Sequence, residues 1–425
     1  MMHGMNAELD KLRSRASDLA RQRADRELLA LRSELERDTE MWARMWAPAC
    51  AIAANGVGDR DGAWSLLEDA VAGGFCQPEL FEGELEAAFA DDERWDKLLR
   101  QMRANIPPPA IELLSWPCPS PRYHVELFRL PPEPEERLRR RIPSPETTAW
   151  GTAKKLLAWV TNAWEHDGLQ HAGDDAHEIL DRVEAGERFA CVEYSTVLSQ
   201  ALNAVRVPSR QLALRTADHH TGYARGHVVS EAWIDDLKRW VVLDGQNGAF
   251  WCDPESDEPL GLVELVRRQR AGGPRPRFIG LTRDHAESAA DMWWRYFHTA
   301  TVIGLHEGTP TGTTWSPAPY SPVFQDRHWL GADLLVTDPA ALYPDLTAVH
   351  VGLAGSRDEP ALRLTAFHPY AVELELHTND EVEVAPTRPG TWAFRLPTSN
   401  FRRVLADRKP RSSCALRTRH VVPDR

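Results

Sequence analysis

The stretch GHVVSEAWIDDLKRWVVLDG, residues 226–245, constrains this chain more than any other. Two alternating runs flank the short polar turn DDLK, which is the pattern of an antiparallel hairpin. Strand side chains alternate between faces. His227, Val229, Glu231 and Trp233 therefore share one face, and Val228, Ser230, Ala232 and Ile234 take the other. On the second strand Trp240, Val242 and Asp244 share a face. A hairpin centred between Asp236 and Leu237 sets Asp244 opposite Val229, diagonal to His227 on the same face. A slip of one residue would turn Asp244 away, so the turn length decides whether the two side chains meet.

Helical patterns precede the hairpin at AKKLLAWVTNAWEH, DAHEILDRVEAG and CVEYSTVLSQALN, and RQLALRT reads as a further strand. In the third helix, residues 191, 194, 195, 198, 201, 202 and 205 form one inward face. Gly186 and Glu187 precede it, so Cys191 falls in or near the first turn. Unpaired N–H groups and the positive end of the helix dipole stabilise a thiolate there. Taken alone, a cysteine on an apolar helix face is a core residue. With an imidazole and a carboxylate on adjacent strands, the three roles of a thiol acyl-transfer site are all present. The imidazole takes the thiol proton and later protonates the leaving group. The carboxylate fixes the imidazole tautomer.

The run GERFACVEYSTVLSQALNAVRVPSRQLAL, followed by GHVVSEAWIDDLKRWVVLDGQNG, resembles the transglutaminase-like superfamily. The resemblance covers about residues 150–255. It implies a papain-like α+β core with the cysteine helix packed on an antiparallel sheet. It also places Cys191, His227 and Asp244 on the family's catalytic cysteine, histidine and aspartate. Acyl transfer through a thioester follows, with an amine acceptor giving crosslinking and water giving a cysteine peptidase or amidase. We favour hydrolysis, because a cytoplasmic crosslinker would threaten its own cell. A scaffold using the same domain only for binding is the alternative. A histidine beyond hydrogen-bond reach of both partners would favour it.

Around the three residues, Glu193 and Tyr194 read as helix-start charge and packing, and Gln246 and Asn247 as loop polarity. Trp159 and Trp164 are candidate oxyanion donors beside the backbone N–H of Cys191. Arg210 reads as an internal pairing residue. Asp218, His219, His220 and His227 raise a metal alternative, but adjacent histidines on a loop make a poor cage and no HExxH or Cys/His spacing occurs. We expect no metal and, with no P-loop or GxGxxG, no cofactor. The 216–226 loop reads as a border of the cleft.

The remaining sequence frames this centre. Residues 7–46 read as one long charged helix, and the 44–104 stretch as short helices resembling a tetratricopeptide-type hairpin, a possible protein docking module. Residues 107–145 hold eleven prolines and read as a linker, with a possible strand at RYHVELFRL. AADMWWRYFHTATVIG reads as a helix, and residues 308–322 as a long loop. Beyond it, the sets Val349/Val351/Leu353, Leu362/Leu364/Ala366, Val372/Leu374/Leu376 and Trp392/Phe394/Leu396 alternate as in an antiparallel sandwich. The expected organisation is a helical module (1–106), the proline-rich linker (107–145), a transglutaminase-like domain (146–305) and a C-terminal β-sandwich-like domain (323–425). A net charge of −13 argues against nucleic acid as a partner, and no apolar run is long enough to cross a membrane. The polar N-terminus predicts no secretory signal, and six scattered cysteines predict free thiols in a reducing cytoplasm. The excess of Arg over Lys fits a GC-rich bacterial genome. The expected partner is a peptide or protein substrate.

Overall fold

The computed structural model describes residues 2–343 apart from 82, 109, 113–126, 168–170, 223–224, 307–308, 317–319, 325–326 and 329–333. Beyond residue 349 it describes the backbone of six strands.

An eight-stranded sheet forms the centre. Its order is Leu334–Val336, Thr309–Trp315, Thr299–His306, Ser209–Arg215, Gly226–Ile234, Arg239–Asp244, Ala249–Cys252 and Arg277–Gly280. Neighbours are antiparallel except the first pair. The hairpin takes the register its turn predicts. Ser230 lies opposite Leu243 and Ile234 opposite Arg239, which centres the pairing between Asp236 and Leu237.

Two apolar layers cover the sheet. Ala232, Ile234, Val241 and Leu243 pack with the helices Ala149–Thr161, Ala176–Glu184 and Cys191–Ala204. Leu212, Val229, Val242 and Trp251 pack on the other side with the helix Leu262–Arg270 and with Trp294 and Phe297. The cysteine helix is buried on every side from Glu193 to Ala204, not along one face as its spacing suggested. Its polar residues allow this because each has a partner. Ser195 donates to the Val229 carbonyl at 2.8 Å and Ser199 to Ser230 Oγ at 2.9 Å. Asn203 donates to the Ser209 carbonyl at 2.8 Å, and Gln200 accepts from Ala176 N–H at 2.8 Å. Buried polar groups without such partners would each oppose folding.

Several boundaries differ from expectation. The AADMWWRYFHTATVIG segment is a helix only over Glu287–Trp294. The β-branched residues after it, Thr299, Thr301, Val302 and Ile303, continue as a sheet strand. Thr309–Trp315, expected within a loop, is the next strand of the same sheet. The proline-rich stretch is not a bare linker in its second half. Pro132–Arg139 is a helix with proline in its first turn, and its Leu138 is fully buried in the central core. Leu127 and Phe128 are buried in irregular backbone, bonded to Leu305 and Ser209. Arg129 and Leu130 are irregular as well, and residues 122–126 of the strand expected there lie outside the described residues.

The long N-terminal helix is broken. Met2–Arg21 ends where Arg23 takes a φ of 56°, and short helices follow at Asp25–Ala30 and Arg32–Leu35. The helices Ala47–Gly56, Arg60–Ala72, Glu84–Phe89 and Glu93–Ala104 share one core with Ala16, Leu28, Leu35 and Phe75. No helix among the described residues is long and apolar enough to cross a membrane.

In the C-terminal region, His350–Ala354, Ala361–Phe367, Thr391–Pro397 and Glu383–Arg388 form an antiparallel sheet, and Glu373–His377 pairs with Ala415–Arg419. The register sets Leu362, Leu364 and Ala366 opposite Leu396, Phe394 and Trp392, so two expected apolar sets fall on one side of this sheet. Val349 and Val372 lie outside the described residues.

Candidate active site

Cys191 is the first residue of its helix and is half-buried. Its N-cap, Ala190, has no side-chain acceptor, and the first N–H groups of a helix lack intrahelical partners. The helix is aligned on the histidine strand by Ser195 and Ser199, so its start lies over the end of the sheet where that strand begins. His227 is the second residue of the strand and Asp244 the last of its neighbour, both at that same end. The helix covers the Ser230 face, whereas His227 and Asp244 share the opposite one. Thiol and imidazole meet only because both sit at the ends of their elements.

His227 Nε2 lies 2.9 Å from Asp244 Oδ2, with both side chains buried. That leaves the other ring nitrogen free of Asp244, and the Cys191 sulfur is near enough to help raise the imidazole. Burial opposes the charged imidazole most strongly. The Asp244 charge, its hydrogen bond and the Cys191 sulfur outweigh it and raise His227 to about 10. Asp244 is likewise disfavoured by burial, but His227 and two bonds from Asn247 hold it below its ordinary value. Both shifts favour an imidazolium–carboxylate pair.

The pair makes stability pH-dependent. His227's share is complete below its unfolded value of 6.5, falls as pH rises, and is gone above about 10. Asp244's share is complete above 3.8 and is lost as pH falls through its lower folded value. The stability of wild type over Asp244→Asn, followed by denaturant titration, is therefore expected to be greatest between 3.8 and 6.5 and to shrink towards about 10. A difference that grows with pH across 6.5 to 10 would contradict the pairing.

Asn247 is more than loop polarity. Its N–H donates to Asp244 Oδ1 at 3.0 Å and its Nδ2 to Oδ2 at 2.8 Å, an aspartate-turn contact that the Asp-x-x-Asn spacing encodes. Its own carbonyl faces His285 Nε2 at 2.8 Å. Gly245 packs closely at this corner: a Cβ there would lie 3.2 Å from the Tyr194 carbonyl, so the backbone would have to give by a few tenths of an ångström. Trp293 and Tyr296, in the segment read from sequence as a helix, are half-buried and stand beside His227, with ring centroids 4.4 and 5.7 Å from the imidazole.

The other candidates divide clearly. Trp164 donates its indole N–H to the Phe189 carbonyl at 3.3 Å and stacks on Tyr194 at 4.2 Å, so it packs rather than faces a substrate. Trp159 is half-buried against the central core. Glu193 is fully buried and holds the preceding loop, accepting from Ala172 N–H at 3.3 Å and facing His171 Nδ1 at 3.1 Å. Arg210 pairs with Glu231 at 2.9 Å inside the fold. His219 is pushed down to about 4 by burial, its Nδ1 facing the Thr216 carbonyl at 2.7 Å. Among the described residues no group of three or more His, Cys, Asp or Glu could hold a metal ion.

Residues 136–245 match the family model described as the transglutaminase-like superfamily. The match begins inside the helix that replaces the expected linker and ends one residue past Asp244. This part of the chain, of mixed α+β structure, is therefore similar to the transglutaminase-like superfamily. Among solved structures, red sea bream transglutaminase is similar over 65% of this chain and 49% of its own, at 11% identity and a TM-score of 0.23. The chain thus spans about half the length of that protein. No curated protein matches the chain.

Proposed function

We propose that the protein is a thiol-dependent acyl-transfer enzyme that hydrolyses a peptide or amide bond through a thioester on Cys191. The observation that supports this reading is His227, whose Nε2 faces Asp244 Oδ2 at 2.9 Å and which the Cys191 sulfur also influences. The scaffold alternative expects a histidine out of reach of both. In the reaction, His227 first takes the Cys191 proton, giving a thiolate–imidazolium pair, and the thiolate sulfur then attacks the substrate carbonyl carbon. The Cys191 N–H, at the positive end of its helix, is the backbone donor for the developing oxyanion. Collapse breaks the C–N bond, and His227 delivers its proton to the leaving amine. Water then enters, His227 takes one of its protons, and hydroxide adds to the thioester carbonyl. The carboxylic acid leaves and the thiol is restored. Asp244, fixed by Asn247, holds the imidazole in one tautomer throughout.

The test compares wild type with Cys191→Ala, using a thiol-reactive probe and a panel of amide substrates. Burial pushes the Cys50 and Cys252 thiols up to about 11, so neither competes for the probe near neutral pH. Labelling is expected at Cys191 in wild type, and turnover is expected to fall by at least about 10³-fold in the variant. Equal labelling and turnover in the two proteins would remove Cys191 as the nucleophile.

A further inference from the structure

The helical module touches two segments of the central domain, one leading to Cys191 in sequence and one leading to His227. On the cysteine side, Ser14 Oγ donates to the buried Asp167 at 2.8 Å. Four residues on, Asp18 accepts from Arg188 at 3.2 Å. Arg188 stands three residues before Cys191 and also reaches Asp167 at 3.5 Å. On the histidine side, Cys76 Sγ donates to the Thr221 carbonyl, and Glu79 pairs with Arg225, two residues before His227. Gln77 packs so closely on Gly222 that a Cβ there would come within 2.3 Å of its amide nitrogen.

These two sets of contacts belong to one body. Ala16, with Leu12 and Leu19 packed beside it, shares a core with Phe75. The module therefore joins the two segments rigidly. It is not needed to build the site: the cysteine helix is buried and bonded to the sheet, and His227 pairs with Leu214 within it. Arg21, at the end of the first helix, lies within electrostatic reach of His166, which itself feels His227 and Asp244. The contacts join the two segments without assembling the site.

We infer that the helical module bridges the cleft and limits Cys191 to small amides or a single extended peptide strand, excluding folded protein surfaces. This substrate class rests on the thiol chemistry proposed above. Each end of the bridge includes a partly exposed ion pair that salt can screen.

The test uses the full chain carrying Asp18→Arg and Glu79→Arg against wild type. Alkylation of Cys191 is read at its own peptide, with iodoacetamide and with a polymer-bearing maleimide. Iodoacetamide is expected to react at similar rates in both proteins. The polymer reagent is expected to react about tenfold faster in the variant, because the closed arrangement is then disfavoured. Raising the salt concentration around wild type should move the polymer rate in the same direction, which guards against a variant that merely folds poorly. A polymer rate indifferent to both the variant and salt would overturn the bridge. Alkylation requires an accessible thiol and no turnover. A lack of amide hydrolysis in both proteins would therefore count against the catalytic reading and leave the bridge standing.

Discussion

Replacing His227 by alanine is expected to lower kcat/KM for an amide substrate by about 10³–10⁴-fold, with folding retained. In the proposed reaction His227 carries both proton transfers, and among the described residues no other histidine is bonded to the Asp244 carboxylate. His219 is held neutral by burial and spends Nδ1 on the Thr216 carbonyl. Steady-state kinetics alongside circular dichroism would check this. A variant with a native spectrum and turnover within tenfold of wild type would mean that another base serves Cys191.

The largest stability effect is expected at Glu231, not in the candidate triad. Its carboxylate is fully buried and accepts four bonds: Arg210 Nη2 at 2.9 Å and Nε at 3.2 Å, Leu262 N–H at 2.9 Å and Tyr343 O–H at 2.9 Å. Arg210 also donates to the Leu342 carbonyl at 2.6 Å and lies over the Trp240 and Tyr343 rings. This single cluster ties the histidine strand to the 339–343 segment and to the start of the Leu262–Arg270 helix. Glu231→Ala strands a buried guanidinium, which is expected to cost about 3–5 kcal/mol. Replacing both partners with apolar residues, as in Arg210→Met with Glu231→Leu, should cost much less, because no charge is then left unpaired. Denaturant midpoints for the two variants provide the comparison. A single variant less destabilised than the double would contradict the pairing argument.

What the sequence makes legible here is local and periodic. The hairpin register followed from alternation and a four-residue turn, and it places Asp244 diagonal to His227 as expected. The start of the cysteine helix followed from the turn residues before it. Alternation does not say which face of the sheet a helix covers. Here the helix lies on the face that His227 and Asp244 do not use, and the three meet only at the sheet's end. Nor does apolar spacing reveal a helix whose serines, glutamine and asparagine are buried because distant backbone groups receive them. The aromatic run at 292–297 hid a helix end and a strand start, since tryptophan and tyrosine suit both. Trp293 and Tyr296 reach His227 through tertiary packing across more than sixty residues of chain, which no local pattern encodes. Prolines misled in the second half of the linker because proline in a helix's first turn is compatible with the helix it opens.

The central claim is covalent catalysis at Cys191, and trapping the intermediate tests it most directly. Wild type would be mixed with an amide or activated ester substrate, quenched in acid during turnover, and digested for mass spectrometry. The account predicts an acyl group in thioester linkage on the Cys191 peptide. That adduct should be absent from Cys191→Ala and should accumulate in variants that slow water's attack. Turnover with no adduct on Cys191, or with the acyl group on another residue, would contradict it.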